Sequence, residues 1–159
     1  MQPCRILHLY LSPGHNYFGH HGKPPGEHEM IEVEEVECVA GRGLVGDRFF
    51  DFKPDYKGQA TLFSMEFHDH MQQKFGKAYP PSVYRRNIVV SGMDLNELIG
   101  KEFELGGIEF YGSCEAAPCY WMDQAVAAGA EEEMKGHGGL RVKILSDGVL
   151  RASRAEVSA

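Results

Sequence analysis

The chain has 159 residues, enough for one domain that buries a real core. Its net charge of -7, from 16 basic and 23 acidic residues with no basic stripe, argues against a nucleic-acid-binding surface. That balance still leaves room for a small anionic ligand, which needs only a few local arginines.

No apolar run is long enough to span a bilayer, so no membrane association is expected. The start, Met1-Gln2-Pro3-Cys4-Arg5, lacks the blocks of a signal peptide, and a cytoplasmic location follows as the expectation. In a reducing compartment the four cysteines, Cys4, Cys38, Cys114 and Cys119, read as free thiols or ligands rather than a disulfide framework. They contain no C-x-x-C pair, which argues against a structural zinc site.

In chain order, residues 4–11 read as a first strand ended by Ser12-Pro13-Gly14. Residues 15–28 form a Gly-, Pro- and His-rich loop. Its histidines, His15, His20, His21 and His28, have no cysteine or carboxylate at ligand spacing, which argues against a metal cluster. Residues 29–40 give a β signal, with Ile31, Val33, Val36 and Val39 β-branched. The alternation breaks at Glu34-Glu35, where a bulge or register change is expected.

The turn at residues 41–48 carries three glycines and ends in Asp47-Arg48. Backbone N–H groups and an arginine fork suit an oxyanion there, and a surface turn with a solvated arginine is the other reading. The Lys-Ser/Thr ending of a P-loop is absent. Residues 57–64 predict a strand, and residues 65–75 a helix closed by Gly76, with His68 and His70 on its wet side. After Tyr79-Pro80-Pro81, residues 84–91 predict a strand entered through Arg85-Arg86-Asn87. Those arginines are either plain solvated charges or the lining of a pocket at the strand mouth.

Asp94 is placed to cap a short helix at residues 95–99. A hairpin joins residues 102–105 and 108–111 across Gly106-Gly107. Short helices follow at residues 121–128 and within 125–138. A last hairpin is expected between residues 140–145 and 149–152. Seven or eight short strands with a few helices predict a closed or nearly closed β-barrel with helical insertions.

Cys119 stands at a strand-to-helix junction behind Pro118. A thiolate at a helix start is favoured by the unpaired N–H groups and the dipole. Cys119 is therefore the first candidate for a functional residue. A buried, inert small hydrophobe is the alternative.

The ordered set Gly46-Asp47-Arg48, Arg85-Arg86-Asn87-Ile88, Gly92-Met93-Asp94-Leu95, Leu98-Ile99-Gly100, Pro118-Cys119 and Gly138-Gly139-Leu140-Arg141-Val142 resembles a MOSC domain. This module is named for the C-terminal part of molybdenum-cofactor sulfurases. The chain is similar to the small stand-alone bacterial members, as a single domain over residues 1–159 with a core at about 4–151. It has no room for the aminotransferase-like region of the sulfurases, so no pyridoxal phosphate chemistry is expected.

The resemblance implies a mostly β (α+β) fold with a barrel like that of pyruvate kinase. It implies that Cys119 coordinates the molybdenum of a pterin cofactor, and that Arg48, Arg85 and Asn87 hold the pterin and its phosphate. Soft thiolate and planar guanidinium suit those tasks. The implied activity is reduction of N-hydroxylated compounds by oxygen transfer to molybdenum. Electrons would come from a partner protein of flavin or iron–sulfur type, since no flavin, haem or iron–sulfur pattern stands in this chain. Tyr120 and Trp121 would line the substrate or, for Trp121, simply pack in the core.

Two departures from the family pattern stand out. Cys114 precedes Cys119 by five residues and reads as a strand residue, and Arg151-Ala152-Ser153 replaces a Gly-Asp ending. Two other functions fit the same residues. One is a sulfur carrier or cofactor-binding module with a persulfide on Cys119. The other is a barrel that binds a phosphate ligand without the cofactor.

Overall fold

The computed structural model describes residues 4–12, 30–118 and 121–152. The strands are β1 (Arg5–Leu11), β2 (Ile31–Val33), β3 (Glu35–Val39), β4 (Gly43–Leu44), β5 (Ala60–Ser64), β6 (Ile88–Ser91), β7 (Glu102–Leu105), β8 (Ile108–Glu115), β9 (Leu140–Ile144) and β10 (Gly148–Arg151). The helices are α1 (Met65–Phe75), α2 (Trp121–Ala125) and α3 (Ala130–Met134), with 3-10 turns at Pro81–Tyr84 and Leu95–Leu98.

The ladders make a seven-stranded sheet in the order β2-β1-β6-β5-β9-β8-β7 and a three-stranded sheet in the order β10-β3-β4. The expected mixed, mostly sheet fold with few helices is present, but the ladders form two sheets and close no barrel among the described residues. Chain switching between the sheets is the physical reason. At Glu34, where the alternation breaks, the chain leaves β2 in one sheet and enters β3 in the other. The expected bulge is a corner of this kind, where a strand bends from one sheet into the next.

The last expected hairpin is a second corner. β9 stays in the large sheet, while β10 pairs with β3 from Gly148↔Cys38 to Arg151↔Glu35. Asp147 fixes this corner by accepting from the Ala40 N–H at 2.7 Å. The β7–β8 hairpin over Gly106-Gly107 forms as expected, with Leu105 opposite Ile108.

One connection is not a hairpin. β5 and β6 run parallel, Leu62 beside Ile88, and α1 lies between them in the chain. Helix α1 begins where Ser64 accepts from the Phe67 N–H, and it ends at Gly76 in the left-handed conformation, φ 63°. Both ends match the expectation at residues 65–75.

Alternation along β5 divides the interior. Leu62 faces a core shared by the two sheets, with Ile88, Phe110 and Val142 from the large sheet and Val36, Cys38 and Leu150 from the small one. Phe63 faces the other way, into a second cluster with Met71, Tyr84, Met122 and Met134 under the helices. This second face also carries the polar groups of Tyr79, Tyr84 and His68.

Candidate functional site

Asn87 lies at the entry to β6 and is 2% exposed. Its Oδ1 accepts from the Thr61 N–H at 3.1 Å and from the Thr61 hydroxyl at 3.2 Å. Its Nδ2 donates to the Tyr10 carbonyl and to Asp47 Oδ1, each at 3.1 Å. Two donors and two acceptor bonds use the amide's full capacity. Asn87 thus joins β1, β5, β6 and the Asp47 turn.

Asp47 completes the joint from the other side. Its Oδ1 accepts from the Ser12 N–H at 3.0 Å and its Oδ2 from the Phe49 N–H at 3.3 Å. The Arg48 N–H donates to the Ser12 carbonyl at 2.7 Å. These bonds hold the glycine-rich turn against the end of β1.

The two arginines expected at the site meet here. Arg48 Nη2 donates to the Arg85 carbonyl at 3.4 Å, and Arg85 Nη2 donates to the Ser12 hydroxyl at 2.9 Å. The Arg48 guanidinium also lies over the Phe49 ring, 4.7 Å from its centroid. Both arginines are half-buried. Arg85 sits in the left-handed region, φ 59°, at the end of the 3-10 turn. That conformation costs an L-residue energy and is held by its surroundings.

Arg86 points elsewhere and acts as a staple. It donates to the carbonyls of Gly138 at 2.8 Å, Ala116 at 2.9 Å and Tyr84 at 3.2 Å. Beyond Glu115 the chain runs antiparallel to Gly138-Gly139, with the Ala116 N–H donating to the Gly139 carbonyl at 2.9 Å. A Cβ on Gly138 would overlap the Ala116 carbonyl oxygen and crowd Pro118. The segment from Ala116 to Pro118 is thus held by two glycines and one guanidinium. Cys119 itself, Tyr120 and the loop histidines His15, His20, His21 and His28 lie outside the described residues.

A buried polar chain runs through Tyr84, the residue just before Arg85. Tyr79 and Tyr84 hydroxyls are 2.8 Å apart, and Tyr84 Oη is 2.9 Å from His68 Nδ1. The His68 ring also bonds the Tyr79 backbone. His68, expected on the wet side of α1, is 2% exposed, because the second cluster covers this face. Burial lowers its pKa, opposed by Asp69 and the Tyr79 backbone bond and aided by His8. Burial raises the Tyr84 pKa, with Tyr79 and Asp69 adding to the rise. His70 remains exposed and bonds Glu133 at 2.7 Å.

Cys114 lies on β8 opposite Arg141, as a strand residue, and is half-buried. Trp121 packs against the second cluster, in line with a core role. The described residues contain no group of three or more His, Cys, Asp or Glu side chains placed to hold a metal ion. No described helix is long and apolar enough to cross a membrane. A separate cleft of about 580 Å³ opens at the other end of β6, lined by Ser64, Phe67, Met93, Asp94 and His137 among others.

Asp47 and Ser12 received no role from the sequence, and Arg86, read there as a solvated charge or pocket lining, is a carbonyl staple instead. Asp47 was legible in principle, as a buried-type acid between Gly46 and Arg48. The roles of Ser12 and Arg86 were hidden because the deciding partners are distant, Arg85 at 73 residues from Ser12 and Ala116 at 30 from Arg86.

The MOSC domain profile matches residues 19–154. A search of curated proteins finds no match. Among solved structures, the YuaD protein of Bacillus subtilis is similar with a TM-score of 0.72 at 17% identity, covering 94% of this chain and 91% of that one. YiiM of Geobacillus stearothermophilus gives a TM-score of 0.67 at 12% identity, covering 94% of this chain and 71% of that one. YiiM of Escherichia coli gives 0.64 at 18% identity, covering 95% and 67%. At these identities the structures speak for the fold, and the profile match over most of the chain speaks for the family. The chain belongs to the MOSC family.

Proposed function

We propose that this MOSC protein binds a molybdenum–pterin cofactor and reduces N-hydroxylated compounds with it. The observation that carries the reading is the meeting of Arg48 and Arg85 on one surface, beside the Ser12 hydroxyl. The donor set fits the phosphate end of such a cofactor. Guanidinium forks and a hydroxyl are ligands for oxyanions, and both arginines keep exposed area for one.

In this reading Arg48 and Arg85 hold the phosphate. Asn87 is a positioning residue, since its amide is spent on Tyr10, Thr61 and Asp47. Cys119 is the metal ligand, a soft thiolate donor. When bound, the cofactor supplies two-electron oxygen-atom transfer, the chemistry that an N–O bond requires. The Arg86 staple and Gly138-Gly139 hold the segment that leads to Cys119 in one path. An electron-donor protein completes the cycle.

The test is molybdenum per chain in protein made in a host that synthesises the cofactor, with Cys119→Ser beside it. Near-stoichiometric metal in the wild type and loss of metal or benzamidoxime reduction in the variant supports the reading. Absence of metal in both, with a control enzyme loaded in the same host, overturns it in favour of a sulfur carrier on Cys119 or a phosphate-binding barrel.

A further inference from the structure

The cleft at the far end of β6 shares no described lining residue with the Arg48–Arg85 pair. Strands β5 and β6 run parallel, and their chains part at Ser64 and Gly92. From there α1 leaves β5, and the 3-10 turn Leu95–Leu98 follows β6. Parallel strands whose connections diverge open a crevice at their carboxyl ends, a common place for ligands. The Arg48–Arg85 pair lies at the opposite end, across the 4 residues of β6, roughly 13 Å of strand.

The walls of the cleft are tied to one another. Glu66 Oε2 accepts from the Gly92 N–H at 2.9 Å, and its Oε1 accepts from the Ser64 hydroxyl at 3.3 Å. One carboxylate thus joins the start of α1 to the end of β6. Asn96 Nδ2 donates to the Gly136 carbonyl at 2.8 Å, which joins the 3-10 turn to the loop before β9. In that loop the His137 ring lies flat on Phe67 of α1, with centroids 4.8 Å and planes 16° apart. A cleft of about 580 Å³ with walls fixed in this way is of a size that holds small molecules.

Its chemistry is one-sided. The described lining holds two carboxylates, Glu66 and Asp94, and no lysine or arginine. Asp94 stands at the N-cap of the 3-10 turn, yet its side chain makes no cap bond there. The rest is largely apolar or flat: Leu95 is buried, Met93 and Phe67 are half-buried, and His137 is exposed. The Phe67–His137 pair is a surface on which a further flat ring can stack. Carboxylates beside aromatic and thioether groups suit a cation carried on a flat apolar body. An anion is disfavoured, because Glu66 already occupies the first turn of α1.

We propose that this cleft is a ligand site for an arylalkyl ammonium, a protonated amine borne on a flat aromatic ring. The ammonium has three donors, enough for two carboxylates that come from different elements. Its ring stacks beside Phe67 and His137 and packs on Met93. This goes beyond the molybdenum reading. The site needs no metal, and its residues hold neither the cofactor nor the thiol in that reading.

The probe is tryptamine, titrated calorimetrically into the full chain, with its uncharged analogue tryptophol beside it. Tryptophol is expected to bind about tenfold more weakly, since it lacks the charge that meets both carboxylates. Asp94→Asn and Glu66→Gln are each expected to weaken tryptamine about threefold and to leave tryptophol unchanged. Both are expected to melt as the wild type does: Asp94→Asn breaks no cap bond, and Glu66→Gln keeps an acceptor for the Gly92 N–H. His137→Ala is expected to weaken both ligands about fivefold, and His137→Phe to restore them by keeping a ring on Phe67. Glu35→Gln removes a carboxylate from the small sheet and is the control, expected to bind as the wild type does.

A wild type that does not bind tryptamine with a Kd below about 1 mM overturns the proposal. So do equal affinities for tryptamine and tryptophol, or unchanged tryptamine affinity in both carboxylate variants. Molybdenum content, measured on the same samples, is expected to be the same in every variant. A carboxylate variant that loses metal and tryptamine together overturns the proposal by making the cleft part of the cofactor site. A wild type without metal that still binds tryptamine through Glu66 and Asp94 sinks the molybdenum reading and keeps this site.

Discussion

Asn87 Nδ2 donates to Asp47 Oδ1 at 3.1 Å, and this contact ties the strand entry that carries Arg85 to the turn that carries Arg48. The two arginines are 37 residues apart in the chain. Their meeting depends on an amide and a carboxylate that need not touch a ligand. Site geometry and fold stability are therefore coupled through one buried joint.

Removing the joint should be expensive. Asn87→Ala leaves Asp47, the Tyr10 carbonyl and the Thr61 N–H without their partner in a site 2% exposed. The expected loss is about 2–4 kcal/mol of unfolding free energy, read from a urea titration. A loss below about 1 kcal/mol would mean that water replaces the amide, and the joint would not be what positions the arginines.

Arg85 offers the opposite experiment. Its φ of 59° suits glycine better than an L-residue. Arg85→Gly removes the guanidinium while relieving the backbone, so stability is expected to stay within about 1 kcal/mol of the wild type. Phosphate affinity and molybdenum content should both fall. A variant that is stable and binds phosphate as before would remove Arg85 from the site.

The sequence disclosed some parts of this molecule and not others, for physical reasons. Helix α1 was legible to the residue, because Ser64 and Gly76 are local signals within one turn of its ends. The β7–β8 hairpin was legible because Gly106-Gly107 sets it locally. The sheet partition was not. Ser146-Asp147-Gly148 reads as a hairpin turn, yet the partner of β10 is β3, and only long-range packing around Val36 and Leu150 decides that. The burial of His68 was hidden for the same reason: its neighbours Tyr79 and Tyr84 arrive from beyond the helix. The arginine pair could be named from its motif. The joint that makes it a pair could not, since Asn87 and Asp47 carry no mark of their contact.

Gly138 packs against the segment that ends at Pro118. A methyl group there would strike the Ala116 carbonyl oxygen and Pro118, both backbone-bound and unable to swing away. Gly138→Ala must move one of the two segments and disturb the Arg86 bonds to both. The expected cost is about 1–3 kcal/mol in chemical denaturation, with molybdenum content reduced more than phosphate affinity. Equal loss of both would place the damage at the arginine pair instead.

His68 should make stability pH-dependent with a defined sign. Burial holds its folded pKa below the ordinary 6.5. The unfolded chain therefore takes up this proton first as pH falls. Above about 6.5 the contribution is fully present, and it is lost progressively as pH drops toward the folded value. One proton sets the steepest slope at about 1.4 kcal/mol per pH unit. His68→Gln keeps an acceptor for the Tyr84 hydroxyl and removes the titration. Unfolding free energies of both proteins, measured from pH 7.5 to 5, are expected to diverge from parallel below about 6.5, with the wild type falling more steeply. Parallel curves would mean that the imidazole charges freely in the folded state, and that the Tyr79–Tyr84–His68 chain opens to water.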